Sequence, residues 1–148
     1  ILFSSGSARL GEVAGGVLDR LADVLGDFDN RLRIEGHTDN VPISTLAFPS
    51  NWELSAARAA SVVHLFMKGG VDPARMTVIG LGEYHPVADN RSAEGRNRNR
   101  RVVVVVMGEA AEQREVVQQL PPEFGKDTGV LVVPAGTLEH AGQEGAAP

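Results

Sequence analysis

Hydrophobic residues recur along this chain with two different periods, and the changes of period mark its elements. From Leu10 onward, Val13, Val17, Leu21 and Leu25 return at three- and four-residue steps with Asp19, Arg20 and Asp23 between them. That pattern predicts a helix burying one face and ending near Gly26 to Asn30. Before it, residues 1–5 (ILFSS) read as a short strand and Gly6 to Gly11 as a turn. RLRIEG then sets Leu32 and Ile34 against Arg31, Arg33 and Glu35, a strand over Arg31 to Gly36 with one face buried. Residues 40–50 contain Pro42 and Pro49 and keep no period, so they form a loop. Ser50 and Glu53 have the spacing of a capping box; the second helix starts there or, with Asn51 in a turn, at Leu54 or Ser55. Its apolar face is Leu54, Val62, Leu65 and Phe66, and Gly69 with Gly70 stops it.

MTVIGLG gives a strand from Met76 to Leu81, closed by glycine. Residues 82–99 are a long polar connection with a short helix near Ala93 to Asn97. Arg101 to Met107 carries five consecutive valines, which suit a strand covered on both faces. Helices alternating with strands before a final apolar strand predict a two-layer α/β or α+β sandwich, with helices packed on a small sheet. Residues 108–148 differ in kind: EAAEQREVVQQL reads as a helix, PPEF breaks it, and GVLVVP reads as a lone strand before an end rich in Gly, Ala and Glu. We therefore expect a domain over 1–107 and a peripheral extension over 108–148 whose last ten residues at least are disordered.

Composition narrows the chemistry. At 148 residues and 43% hydrophobic, the chain is long enough and apolar enough for one domain with a real core. Its 14 Lys and Arg against 19 Asp and Glu leave a formal charge of -5, so it has no general attraction for nucleic acid or anionic lipid. Cysteine is absent, which removes disulfides, thiolate catalysis and cysteine-based metal sites. No apolar run reaches a membrane-spanning length and no export signal is visible; the opening at Ile1 suggests a fragment or processed form whose targeting information lies upstream.

The most concentrated chemistry is IEGHTDN, Ile34 to Asn40. If the strand persisted, His37 and Asp39 would share a face and Thr38 would point the other way. A two-residue spacing without a third ligand argues against a metal pair. The plain reading of His37 is a structural ring that hydrogen-bonds a neighbouring loop. Asp39 reads either as a turn acceptor for backbone N–H groups or as a ligand-binding anion. Arg58 lies one helical turn from both Leu54 and Val62, on or beside the inward face, where a guanidinium must snorkel out or meet an anion. Asp39 and Arg58 therefore either pair with each other or each meet the opposite end of a zwitterionic ligand.

RSAEGRNRNRR crowds Arg91, Arg96, Arg98, Arg100 and Arg101 together, which raises nucleic-acid binding as an alternative, although no aromatics are interleaved for base stacking. Solvation accounts for Arg91 and Arg96; of the adjacent Arg100 and Arg101, which face opposite sides on entering a strand, at least one turns toward the helix layer or its edge. No GxSxG, phosphate-cradling glycine loop or complete metal-ligand set is present, so no enzyme, cofactor or metal is expected. Binding is what the chemistry supports.

Taken in order, FSSGSARL, IEGHTDN, NWELSAARA, VIGLGEYHPVADN and NRNRRVVVVV make residues 3–107 similar to the OmpA-like peptidoglycan-binding domain, and SNWELSAARA resembles its flagellar stator branch, MotB and MotD. The resemblance implies an α+β two-layer sandwich: a small mixed sheet of about four strands with helices on one face. It implies binding of the peptidoglycan stem peptide, with Asp39 receiving the meso-diaminopimelate amine, Arg58 its carboxylate, Asn51 lining the pocket, Thr38 and Leu54 beside it, and Arg101 contributing in preference to Arg100. The loop NVPISTLAFPS departs from the short one of many members and would place Phe48, Pro49 and Trp52 near the entrance, either covering the ligand or packing the loop down. It further implies a periplasmic domain of a single-pass inner-membrane protein of a Gram-negative bacterium, a homodimer, and a stator A subunit as partner through a membrane segment before Ile1. The alternative is the wall tether of an envelope lipoprotein or porin.

Overall fold

The computed structural model describes residues 2–120 and 129–135. In chain order the elements are α1 (Glu12–Gly26), β1 (Leu32–Gly36), α2 (Asn51–Lys68), a 3-10 turn (Pro73–Arg75), β2 (Met76–Gly80), α3 (Ala93–Asn99), β3 (Val102–Val106), α4 (Ala110–Gln118) and β4 (Val130–Pro134). The four strands form one mixed sheet in the order β2-β1-β3-β4. β1 runs parallel to β2 and antiparallel to β3, and β4 joins β3 in parallel. This is the α+β two-layer arrangement expected.

Helix α1 forms as predicted and buries Leu21 and Leu25 of the expected stripe, but not its Val13 end. Its buried residues are Ala14, Leu18, Leu21, Ala22 and Leu25, whereas Val13 is exposed. A strict four-residue step drifts about 40° around a 3.6-residue helix, so the Val13 end of the expected stripe rotates out of the core. The helix side of the sheet supplies Leu32, Ile34, Val102, Val104, Val106 and Val130 to the same core, joined by Val62 and Phe66 of α2 and Val116 of α4. All five residues of β3, which lies between β1 and β4, are buried, so both faces of this strand are covered. In β1 the opposite face is not left to water either: Glu35 is buried and paired with Arg33 Nε at 2.7 Å.

Two expectations change at the ends. Phe3 and Leu10 make a single antiparallel bridge, so residues 2–5 are not a strand, although Leu2 and Phe3 are buried. The stretch GVLVVP is not a lone strand: β4 pairs with β3 from Val102↔Val130 to Val106↔Pro134, and the sheet thus continues into the 108–148 segment. Its proline sits at the end of an edge strand, where a missing N–H is tolerated. The PPEF break and the last ten residues lie outside the described residues.

What sets the position of α2 is a pair of glycines. Gly36 and Gly80 face each other across β1 and β2. A Cβ on Gly36 would stand 1.9 Å from the Ser55 carbonyl oxygen, and one on Gly80 would stand 2.8 Å from the Ala56 nitrogen. The helix backbone therefore rests directly on the sheet, bringing the start of α2 against the end of β1.

Candidate functional site

The segment leaving β1 is pinned on both sides. The His37 N–H donates to the Arg101 carbonyl and the Thr38 N–H to the Gly82 carbonyl, both at 2.9 Å. Gly82 takes a left-handed turn (φ 61°), and its own N–H donates to Ser55 Oγ of α2. Thr38 and Asp39 are consequently buried and fixed at the strand end. Thr38 Oγ1 donates to the Asp39 carbonyl at 2.8 Å, and Asp39 Oδ1 accepts from the Val41 N–H at 3.0 Å. Asp39 is thus the turn acceptor that its setting suggested, with its second oxygen Oδ2 still to be satisfied.

On the facing element, Ser50 caps α2 by accepting from the Trp52 N–H, and its hydroxyl also meets the Glu53 carboxylate. Asn51 therefore belongs to the helix, and its side-chain amide donates to the Val41 carbonyl at 3.1 Å and the Asp39 carbonyl at 3.4 Å. Leu54 and Arg58 follow on the inward face. Arg58 is fully buried. It donates from Nε to Ser7 O (3.0 Å), from Nη2 to Ser4 O (3.1 Å) and from Nη1 to His37 O (3.5 Å), and its guanidinium carbon lies 5.2 Å from the Phe3 ring centroid. Burial pushes its pKa down to about 10, with Asp39 opposing and Arg100 reinforcing the shift, so the group stays cationic at neutral pH.

Asp39, Arg58, Asn51, Thr38 and Leu54 all line one pocket of about 70 Å³, together with loop residues such as Val41 and Ile43. Asp39 and Arg58 share the pocket without being each other's hydrogen-bond partner: Arg58 is held by main-chain carbonyls, and Asp39 Oδ2 accepts from Arg100 Nη1 at 2.6 Å. Arg100 is the residue the sequence reading underrated. Arg101 turns to the other side, donating to His85 O (2.9 Å) and Asn99 O (3.3 Å); it is buried, with its pKa lowered to about 10 by that burial against the opposing charge of Glu35. The alternation of side chains entering β3 puts one arginine in the pocket and its neighbour away from it.

His37 also departs from expectation. Its ring is buried, meets the His85 ring edge-on at 6.2 Å, and has Nε2 3.8 Å from Glu35 Oε2, yet neither ring nitrogen has a hydrogen-bond partner among the described residues. Burial lowers its pKa and favours the neutral ring, with Arg101 and His85 acting in the same direction and Glu35 against it. Phe48, Pro49 and Trp52 do not line the pocket; Trp52 stacks on Tyr84 with centroids 5.1 Å apart. The arginine cluster does not make one basic surface, because Arg91 pairs with Asp89, Arg96 bonds Asn90 O, and Arg100 and Arg101 point inward on separate sides. Among the described residues no His, Asp and Glu cluster could hold a metal ion, and no helix is long and apolar enough to cross a membrane.

The OmpA family model matches residues 2–100, which include both walls of this pocket. The chain belongs to the OmpA family. It is 40% identical over 107 residues to the uncharacterized protein YtxE of Bacillus subtilis (72% of this chain, 44% of that protein) and 37% identical over 115 residues to Motility protein B of the same organism (76% and 44%). It is 38% identical over 110 residues to the outer-membrane lipoprotein YfiB of Pseudomonas aeruginosa (74% and 63%). The OmpA-family chain thus spans under two thirds of the length of each of these curated relatives. Of solved structures, the cell wall anchor of the T6SS from Pseudomonas aeruginosa superimposes with a TM-score of 0.63 at 46% identity, covering 68% of this chain and 71% of that one. The C-terminal domain of Helicobacter pylori MotB superimposes with a TM-score of 0.73 at 24% identity, covering 78% and 89%, which establishes the shared fold.

Proposed function

We propose that this OmpA-family domain binds peptidoglycan without turnover, gripping the charged end of meso-diaminopimelate in the stem peptide, and that it anchors a flagellar stator to the cell wall. The observation that carries this reading is the shared pocket of Asp39 and Arg58, an anion and a fixed planar cation recessed at one strand end. A zwitterionic side-chain terminus needs both, and a guanidinium fork suits its carboxylate better than an ammonium would. At about 70 Å³ the pocket fits the end of a side chain rather than a sugar ring, since one water needs roughly 10–15 Å³ of such space. The 37% identity to the protein named Peptidoglycan-binding protein ArfA of Mycobacterium bovis over 107 residues supports the wall as target, and the likeness to Motility protein B supports the stator.

On this reading the domain works in the periplasm as one of a pair, with a membrane segment upstream contacting the stator A subunit. The likeness to the lipoprotein YfiB favours a second reading, a wall tether for an outer-membrane lipoprotein; an upstream lipid-modified cysteine, against an upstream membrane helix, separates the two.

The test is calorimetry with meso-diaminopimelate muropeptides, paired with pull-down on purified sacculi. Asp39→Asn keeps the shape and removes the charge; Arg58→Lys keeps the charge and removes the fork. Each charge-assisted bond is worth about 1.5 to 3 kcal/mol, so each variant should bind roughly ten- to a hundredfold more weakly. Folded variants that bind like the parent would sink the reading.

A further inference from the structure

The two cations of the pocket are held in different ways. Arg58 is locked by three main-chain carbonyls and the Phe3 ring. Arg100 follows the short helix α3 as its cap, and its main tie is the 2.6 Å contact from Nη1 to Asp39 Oδ2. Its Nη2 reaches Asn97 Oδ1 only at 3.4 Å, and its Nε is buried with no hydrogen-bond partner among the described residues. One strong bond and an unpartnered donor make Arg100 the cation free to exchange partners, while Arg58 cannot do so without abandoning three carbonyls.

Charge counting shows what such an exchange would select. Asp39 faces two guanidiniums, so the groups lining the pocket sum to a formal +1. A zwitterionic ligand end leaves that sum unchanged. An ammonium whose accompanying carboxylate has been converted to an amide adds a third cation around a single carboxylate, in a recess where charge is poorly screened. The guanidiniums already act on each other, since Arg100 contributes to lowering the Arg58 pKa.

We propose that Arg100 is the specificity-determining residue of this site: it occupies Asp39 until a ligand ammonium displaces it, and then turns its freed guanidinium to the ligand's carboxylate. The domain therefore takes stem peptides whose diaminopimelate side-chain carboxyl is free and rejects those in which it is amidated. This inference rests on the stem-peptide reading and adds the form of the ligand that the site accepts.

The test compares two muropeptides that differ only in a free or an amidated diaminopimelate side-chain carboxyl, titrated into the parent, Arg100→Gln and Arg100→Lys. The parent should prefer the free acid by about tenfold or more, the size expected for one charge-assisted contact. Arg100→Gln frees Asp39 and removes the second cation, so the amide should bind several-fold more tightly and the acid more weakly, bringing the preference to roughly threefold or less. Arg100→Lys, which keeps the charge, should retain most of the preference. Equal changes for both ligands in Arg100→Gln, or an unchanged preference, would assign Arg100 a merely structural role and overturn the proposal. A parent that binds both ligands equally overturns it as well, needs no variant, and leaves the stem-peptide reading standing. A parent that binds neither refutes that reading, and this inference with it.

Discussion

Replacing Gly36 by alanine tests whether the helix really rests on the sheet. The added Cβ would lie 1.9 Å from the Ser55 carbonyl oxygen and 2.8 Å from its carbon, against a lower edge of ordinary contact at 3.4 Å. Relief therefore requires α2 to retreat by about 1.5 Å, and the obstructing atoms are helix backbone that cannot rotate aside. Overpacking of this kind costs about 1–3 kcal/mol and more when backbone must shift, so we expect about 3 kcal/mol. At roughly 2–4 °C per kcal/mol for a chain of this size, the melting temperature should fall by about 10 °C. Gly15→Ala is the internal control: it lies in α1, its Cβ would meet nothing within 4 Å, and removing glycine from a helix interior should raise stability by up to about 1 kcal/mol. Thermal denaturation followed by far-ultraviolet circular dichroism, with urea unfolding at 25 °C, reads both. A Gly36→Ala protein melting within about 2 °C of the parent would refute the close approach and the placement of Arg58 and Asn51 that depends on it.

Further consequences can be checked in the same preparations. Arg58→Ala removes a buried cation and leaves the Ser4 and Ser7 carbonyls without their donor, so urea unfolding should show a loss of about 3 kcal/mol besides any loss of binding. His37 has a lowered pKa in the folded state, so the unfolded chain binds more protons below its ordinary value near 6.5; stability from this group is full above that pH and is lost as pH falls toward the folded pKa. His37→Gln should accordingly flatten the decline in urea midpoint between pH 7.5 and 5, and an unchanged slope would exclude the ring as its source. Labelled single-stranded RNA or DNA should bind weakly at most in physiological salt; saturable binding tighter than about 1 μM would contradict the division of the arginines into separate contacts.

The sequence was most informative where a pattern has one structural solution. Alternation fixed the inward face of β1, the valine run marked the central strand, and the place of Arg58 on the inward face of α2 followed from helical spacing. It was least informative where the partner is a main-chain group. Every residue carries a carbonyl, so nothing in FSSGSARL marks Ser4 and Ser7 as the acceptors for Arg58. The choice between Arg100 and Arg101 is a matter of register. Adjacent residues must diverge, but which one faces Asp39 depends on where α3 ends and β3 begins. The edge strand β4 could be read as a strand from its apolar run, while its parallel pairing with β3 is a tertiary choice that local pattern does not encode.

Arg58 reaches across 51 and 54 positions to Ser7 and Ser4, and Asp39 meets Arg100 across 61. Contacts so remote along the chain require large loops to be closed first, and helices and the local turns form before them. The pocket is therefore a product of completed tertiary structure, with no fragment carrying a diminished version of it. Pieces that keep IEGHTDN and NWELSAARA but lack the opening segment or the arginine pair would keep the motifs and lose the means of holding them. Binding competence should accordingly disappear together with the global unfolding transition, making it an all-or-none report on whether the chain has finished folding.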